Sequence, residues 1–114
     1  MERKFREADI KKTTFSDRWV KFAFGPQGKI KTGSLNLGIV EFGNNKTSMS
    51  HKHDVEEALY VLSGKGKIKI GDKIYNLDHS EFIYIPKNTE HSIITSDCPL
   101  KILFIFGGEI VIDH

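Results

Sequence analysis

Apolar residues in this chain recur at every second position in short runs, and the runs stop at glycine, proline, asparagine or aspartate. Period-two alternation of this kind belongs to half-buried strands rather than helices. Trp19 to Phe24 is aromatic and β-branched and stops at Gly25-Pro26-Gln27-Gly28. After Lys29-Ile30-Lys31 and a break at Gly33, Leu35, Leu37 and Ile39 alternate with Asn36 and Gly38, and Val40 and Phe42 close that segment. Met49, His51 and His53 share one parity on the next predicted strand. Glu57 to Ser63 forms another, up to Gly64-Lys65-Gly66. Lys67 to Ile70 and Lys73 to Leu77 flank Gly71-Asp72, a two-residue turn of hairpin type. Phe82 to Ile85 runs into Pro86, His91 to Ile94 follows, and Leu100 to Phe106 and Glu109 to Ile112 complete the series.

Some nine short strands with turn signals about every ten residues, and no helical period, predict an all-β sandwich or barrel. No linker or internal repeat divides the chain, so residues 1–114 are expected to form a single domain, with a charged segment over 1–13 and barrel strands over 14–112. The first 13 residues fit a short helix or an edge strand. Leu100 to Phe106 departs from simple alternation, since Leu103 and Ile105 make its second face apolar too. A strand apolar on both faces needs an outer cover. The expected cover is a second copy of the chain, as a homodimer, or else the amino-terminal segment.

Composition narrows the picture. With 39% hydrophobic and 28% charged residues, the chain has the make-up of a folded globular protein rather than a disordered one. A net charge of +2 gives no reason to expect nucleic acid or a membrane surface as partner. The early cations Arg3, Lys4, Arg6, Lys11 and Lys12 are interleaved with Glu2, Glu7 and Asp9, which reads as a solvated segment. The lone Cys98 excludes an intramolecular disulfide and has no sequence-adjacent base. No apolar run approaches the roughly 20 residues of a membrane span, and no signal-peptide core is present, so a cytoplasmic location is expected.

Candidate chemistry sits in the histidines. On a strand His51 and His53 point the same way, roughly 6.5–7 Å apart at the backbone, close enough for both rings to reach one metal ion. Glu57, after a short break, can return from a neighbouring strand as an oxygen ligand. His91 follows the Pro86 turn at the start of a strand, and a closed barrel would bring that strand beside residue 51. His79 lies in a turn and His114 ends the chain, so both are expected in solvent.

These residues resemble a known family. His51-x-His53-x3-Glu57-x6-Gly64 is similar to the first motif of the cupin superfamily, and Pro86-x4-His91 to the core of the second. The resemblance implies a jelly-roll barrel, the double-stranded β-helix of cupins, with one divalent metal ion held by His51, His53, Glu57 and His91. Such a donor set suits Zn, Fe(II), Mn, Ni or Cu(II) without choosing among them. The sequence departs from the motif glycines at Asn45, Ser80 and Asn88 and from its final asparagine at Thr95. Asn88 is expected to replace glycine through the left-handed conformation. Cupin relatives include dioxygenases, isomerases, lyases and decarboxylases as well as non-catalytic binding modules. Two readings therefore stand: a metalloenzyme for a small chelating substrate, with Tyr60 or Tyr84 as proton donor, or a module that binds a sugar-like molecule in the same pocket.

Overall fold

Nine strands and one 3-10 turn form among residues 3–107, which are the residues that the computed structural model describes. The turn spans Glu7–Asp9. The strands are β1 (Thr13–Thr14), β2 (Arg18–Phe24), β3 (Asn36–Phe42), β4 (Glu57–Gly64), β5 (Gly66–Ile70), β6 (Lys73–Leu77), β7 (Phe82–Ile85), β8 (His91–Ile94) and β9 (Leu100–Phe106). The expected strand at Glu109 to Ile112 and His114 lie outside the described residues. Residues 1–13 contain both of the anticipated forms in miniature, the 3-10 turn and the start of a two-residue edge strand. Among the described residues no helix is long and apolar enough to cross a membrane.

The strands make two antiparallel sheets that face each other. One runs β1-β2-β3-β9-β4-β7 and the other β6-β5-β8. From β4 onward the chain passes back and forth between them, which is the jelly-roll expected from the sequence. One predicted strand, that of Met49 to His53, is not formed as a ladder, and the short stretch before Gly33 is little more. Lys29 to Lys31 contributes a single bridge, Phe24 to Ile30. The stretch carrying His51 extends the smaller sheet alongside β8 by isolated bridges, Thr47–Ile94 and His51–His91, with Ser48 hydrogen-bonded to Ile93 between them.

Alternation decides what lies between the sheets. On β9, Leu100, Ile102, Phe104 and Phe106 are buried, and on β4, Leu59 and Val61 join them. On β3 the inward residues are Asn36, Gly38, Val40 and Phe42, while Leu37 and Ile39 face outward. Phe104 enforces this arrangement: a Cβ at Gly38 would lie 2.5 Å from its ring and from the Lys21 carbonyl oxygen. Only glycine admits the ring there, so a large aromatic fills the space beneath β3.

The outer face of the larger sheet is covered in part. Glu7 accepts hydrogen bonds from Lys101 at 3.1 Å and from Lys21 at 3.4 Å, pinning the amino-terminal segment over β2 and β9. Burial opposes ionisation of Glu7, but Lys101 and Lys21 outweigh it and hold the carboxyl below its ordinary range. Ile10 is buried by the same segment. Ile105, by contrast, stays 42% exposed and Phe82 78%.

Among the described residues three non-glycine residues have positive φ: Asn45 at 56°, Ser80 at 66° and Asn88 at 56°. They are the three positions where the sequence departs from the glycines of the motif it resembles. The backbone geometry is retained and the glycine is not. Asn tolerates this region, whereas Ser pays roughly 1 kcal/mol or more for it. Ser80→Gly is therefore expected to leave stability unchanged or raise it by up to about 1 kcal/mol, offset by added chain entropy. Gly64 is the converse case, with φ at 86° and room for no Cβ, which would sit 1.9 Å from the Pro99 carbonyl oxygen. Gly64→Ala should cost more than about 2 kcal/mol. Denaturant midpoints of the two variants measured side by side check both signs.

Candidate metal centre

Backbone pairing across forty residues of chain assembles the site. His51 N–H donates to the His91 carbonyl at 3.0 Å, and His91 N–H donates back to the His51 carbonyl at 2.9 Å. Residues paired reciprocally in this way lie directly opposite each other with side chains on one face. Their imidazole centroids are 4.3 Å apart. His53 is positioned by the Pro86 turn, where Asn88 N–H donates to the His53 carbonyl at 2.6 Å. Its ring stands edge-on to Phe106, centroids 4.9 Å apart at 90°.

Ring orientation is set from outside. His51 Nδ1 lies 3.1 Å from the Met49 carbonyl oxygen and His91 Nδ1 lies 3.0 Å from the Thr89 carbonyl oxygen. A carbonyl only accepts, so in the neutral ring each Nδ1 carries the proton and each Nε2 keeps its lone pair. In both cases the acceptor is two residues back. His51, His53 and His91 each offer a ligand atom, all within 4.8 Å of one another, so the three could hold a metal ion.

Glu57 opens β4 and is 2% exposed. Its Oε1 lies 3.3 Å from His91 Nε2, which is itself in a ring only 4% exposed. Burial raises the Glu57 carboxyl above its ordinary range, and the opposing hydrogen bond and charge of His91 do not cancel that. For His91, burial acts downward, but the Glu57 hydrogen bond, the Thr89 carbonyl and the nearby carboxylate charges carry it above 6.5. Both shifts favour a protonated Glu57–His91 pair when no cation is bound. His51 Nε2, His53 Nε2, Glu57 Oε1 and His91 Nε2 are all sealed from solvent. Packing that many polar donors into a barrel interior is costly. The three imidazoles, with the Glu57 carboxyl 3.3 Å from one of them, are a donor set that a divalent cation fits.

His51, Glu57 and His91 line a cavity of about 20 Å³ together with Phe42, Phe104 and aliphatic side chains of both sheets. The tyrosines named from sequence are elsewhere. Glu57, Leu59 and Val61 point inward, so Tyr60 points outward and packs on Phe82 with centroids 4.6 Å apart. Tyr84, opposite Ala58 on β7, is exposed and donates its hydroxyl hydrogen bond to Glu56. Neither is brought to the site, and the parity of β4 is the reason. His79 stands in solvent beside Asp78, as expected. Sequence reading passed over Asn36, which is 2% exposed and lies in the same cross-strand row as Phe106 and Glu57. Its shared parity with Val40 and Phe42 was the available signal.

Comparison with known proteins identifies the family and the fold. Residues 38–106 match the family described as Cupin domain. An uncharacterized protein of Methanocaldococcus jannaschii is 36% identical over 72 residues, covering 61% of this chain and 56% of the relative. Among solved structures, the DMSP lyase DddQ from Ruegeria pomeroyi DSS-3 superposes with a TM-score of 0.83 at 18% identity, covering 93% of this chain and 60% of that one. The polyketide cyclase RemF from Streptomyces resistomycificus gives 0.81 at 18% identity, covering 100% and 89%. An oxalate decarboxylase of Bacillus subtilis gives 0.82 at 17% identity, covering 96% and 30%. At these identities the structures establish shared fold. The chain spans little more than half of the M. jannaschii relative and of the lyase.

The shared proton sets a pH dependence with a definite sign. Without metal, raised pKa values mean that the folded state binds protons more tightly than the unfolded chain. Stability is then fully present below about 6.5 and is lost as pH rises through the raised His91 value. A metal ion competes with that same proton, so its affinity rises over the same range. The gain in unfolding temperature on adding Zn(II) to chelator-treated protein should therefore grow from pH 6 to pH 8. A gain independent of pH would place the ion on other groups.

Proposed function

This chain belongs to the cupin family, and from that premise we propose that it is a divalent-metal-dependent enzyme acting on a small polar substrate with chelating oxygens. The convergence of three imidazoles, His91 buried and His51 and His53 half-buried, carries the reading: their ligand atoms all lie within 4.8 Å of one another. His51, His53 and His91 would hold the ion and Glu57 would complete the donor set. The ion, when bound, would polarise substrate oxygens and lower the pKa of bound water. The metal remains one of Zn, Fe(II), Mn, Ni or Cu(II), with Mn(II) supported by the Mn(II) centres described for the B. subtilis oxalate decarboxylase. The neighbours' names, a lyase, a cyclase and a decarboxylase, support chemistry on small oxygen-rich molecules; the fold alone does not choose the reaction.

The protein's own share of the chemistry is orientation and proton handling. Backbone carbonyls of Met49 and Thr89 hold two rings in the ligating tautomer. Without an ion, Glu57 and His91 are the proton-binding pair of the site, the carboxyl raised by burial and the imidazole by Glu57. The outward placement of Tyr60 and Tyr84 favours the alternative reading, a binding or sensing module, since it removes two proton donors. Incubation of Zn-, Mn- and Fe(II)-loaded protein with small dicarboxylates, hydroxy acids and sugars, followed by proton NMR, separates the two. Turnover is expected, and His53→Ala should lower it by about 100-fold or more. Ligand line-broadening without product would establish the binding module instead.

The same premise extends to assembly. Ile105, Phe82, Tyr60 and Tyr84 form an apolar outer face that the amino-terminal segment does not reach, and a second copy of the chain is its proposed cover. Sedimentation should give a dimer at micromolar concentration, and Phe82→Glu should shift it to monomer. A wild-type monomer rejects the proposal.

A further inference from the structure

On the outer face of the smaller sheet, β5 presents Lys67 and Lys69, and Lys65 continues the alternation just before the strand begins. All three are exposed. Alternating lysines on an outer face by themselves only keep a sheet in solution. Lys65 and Lys67, however, line a hollow of about 390 Å³, the volume of a small-molecule site. Sheet register builds it. Lys67 pairs with Asn76 on β6 and with Ile94 on β8, so the three side chains form one cross-strand row. Lys65, Asp78 and Ser96 carry the hollow past the strand ends, and Leu77 and Ile94 give it an apolar wall.

The hollow carries net positive charge. Asp78 is the one acid among its lining residues, and its Oδ1 accepts from the His79 backbone N–H at 2.8 Å and faces the His79 ring nitrogen at 3.1 Å. Hydrogen bonds from His79, with a smaller contribution from the charge of Lys65, hold that carboxyl below its ordinary range. The ion pairs of the described residues include neither Lys65 nor Lys67. Two residues apart in the chain, these long side chains can bring both ammonium groups to one dianionic head. A carbon skeleton attached to that head then lies on Leu77 and Ile94, where Asn76 and Asp78 can bond its hydroxyls.

We propose that this hollow binds the phosphate monoester of a small polyol, a ligand of the sugar-phosphate class. It lies outside the barrel. On β8, His91 and Ile93 face the interior and Ile94, of opposite parity, faces the hollow. Binding there does not depend on the metal centre, which uses the other face of the same strand.

Titration of isotope-labelled protein with glucose-6-phosphate, read by backbone amide chemical shifts, tests the assignment. Saturable shifts are expected over Lys65 to Lys67, Asn76 to Asp78 and Ile94 to Ser96. The double change Lys65→Gln with Lys67→Gln should weaken the affinity by about tenfold or more, through loss of charge-assisted hydrogen bonds. Both side chains are exposed, so the substituted protein keeps its fold, and unchanged shifts in β3 and β9 verify that. Lys11→Gln with Lys12→Gln removes the same charge elsewhere and should leave the affinity within about twofold. Glucose should not bind, and inorganic phosphate should bind more weakly than the ester. Shifts that fail to saturate, that are equally large around Lys11 and Lys12, or that survive the Lys65 and Lys67 substitutions would overturn the proposal. So would an affinity for the ester no better than that for inorganic phosphate.

Discussion

Two backbone hydrogen bonds between His51 and His91 hold the candidate centre together. They join segments forty residues apart, at a place where the chain forms a bridge rather than a regular ladder. The closure cost of such a loop is set by the whole barrel, not by the bridge, because the intervening strands β4 to β7 are ordered by their own sheets. With that pair in place the rings of His51 and His91 are side by side, and each needs only a carbonyl two residues back to turn its Nε2 inward. Glu57 then arrives from the first residue of β4. The centre is assembled by the register of the fold.

That register also explains the division of labour between sheet faces. Inward parity on β4 gives Glu57, Leu59 and Val61, which means donor, cavity wall and core in succession along one strand. Outward parity gives Ala58, Tyr60 and Leu62, which face the partly covered outer surface. A one-residue slip of β4 would exchange the two sets and remove the carboxylate from the site. Phe104 and Gly38 guard against slippage on the neighbouring strands, since only one register lets the ring lie over the glycine.

Much of this was legible in the sequence. Strand positions followed from alternation and turn residues, and the four donor candidates followed from spacing and family resemblance. What was not legible depended on facing. Tyr60 and Tyr84 lie on the right strands with the wrong parity, and parity cannot be assigned until one knows which neighbour is inside. Asn36 was hidden for the same reason, beside Leu35, Leu37 and Ile39, of which Leu37 and Ile39 turn out to face outward. The positive φ of Ser80 could not be read from residue type, because the resemblance supplied glycine there and the chain supplies serine. Asn45 and Asn88 carried a local chemical hint, since Asn tolerates the left-handed region.

All of the functional argument depends on the barrel interior holding one cation. Elemental analysis of tag-free protein, purified without added metal and then exchanged into chelator-free buffer at neutral pH, measures this most directly. The account predicts close to one equivalent of a single divalent metal per chain, with an X-ray absorption edge showing imidazole nitrogen as the dominant ligand. A protein that retains no stoichiometric metal after loading and exchange, while staying folded with unchanged stability, would contradict it.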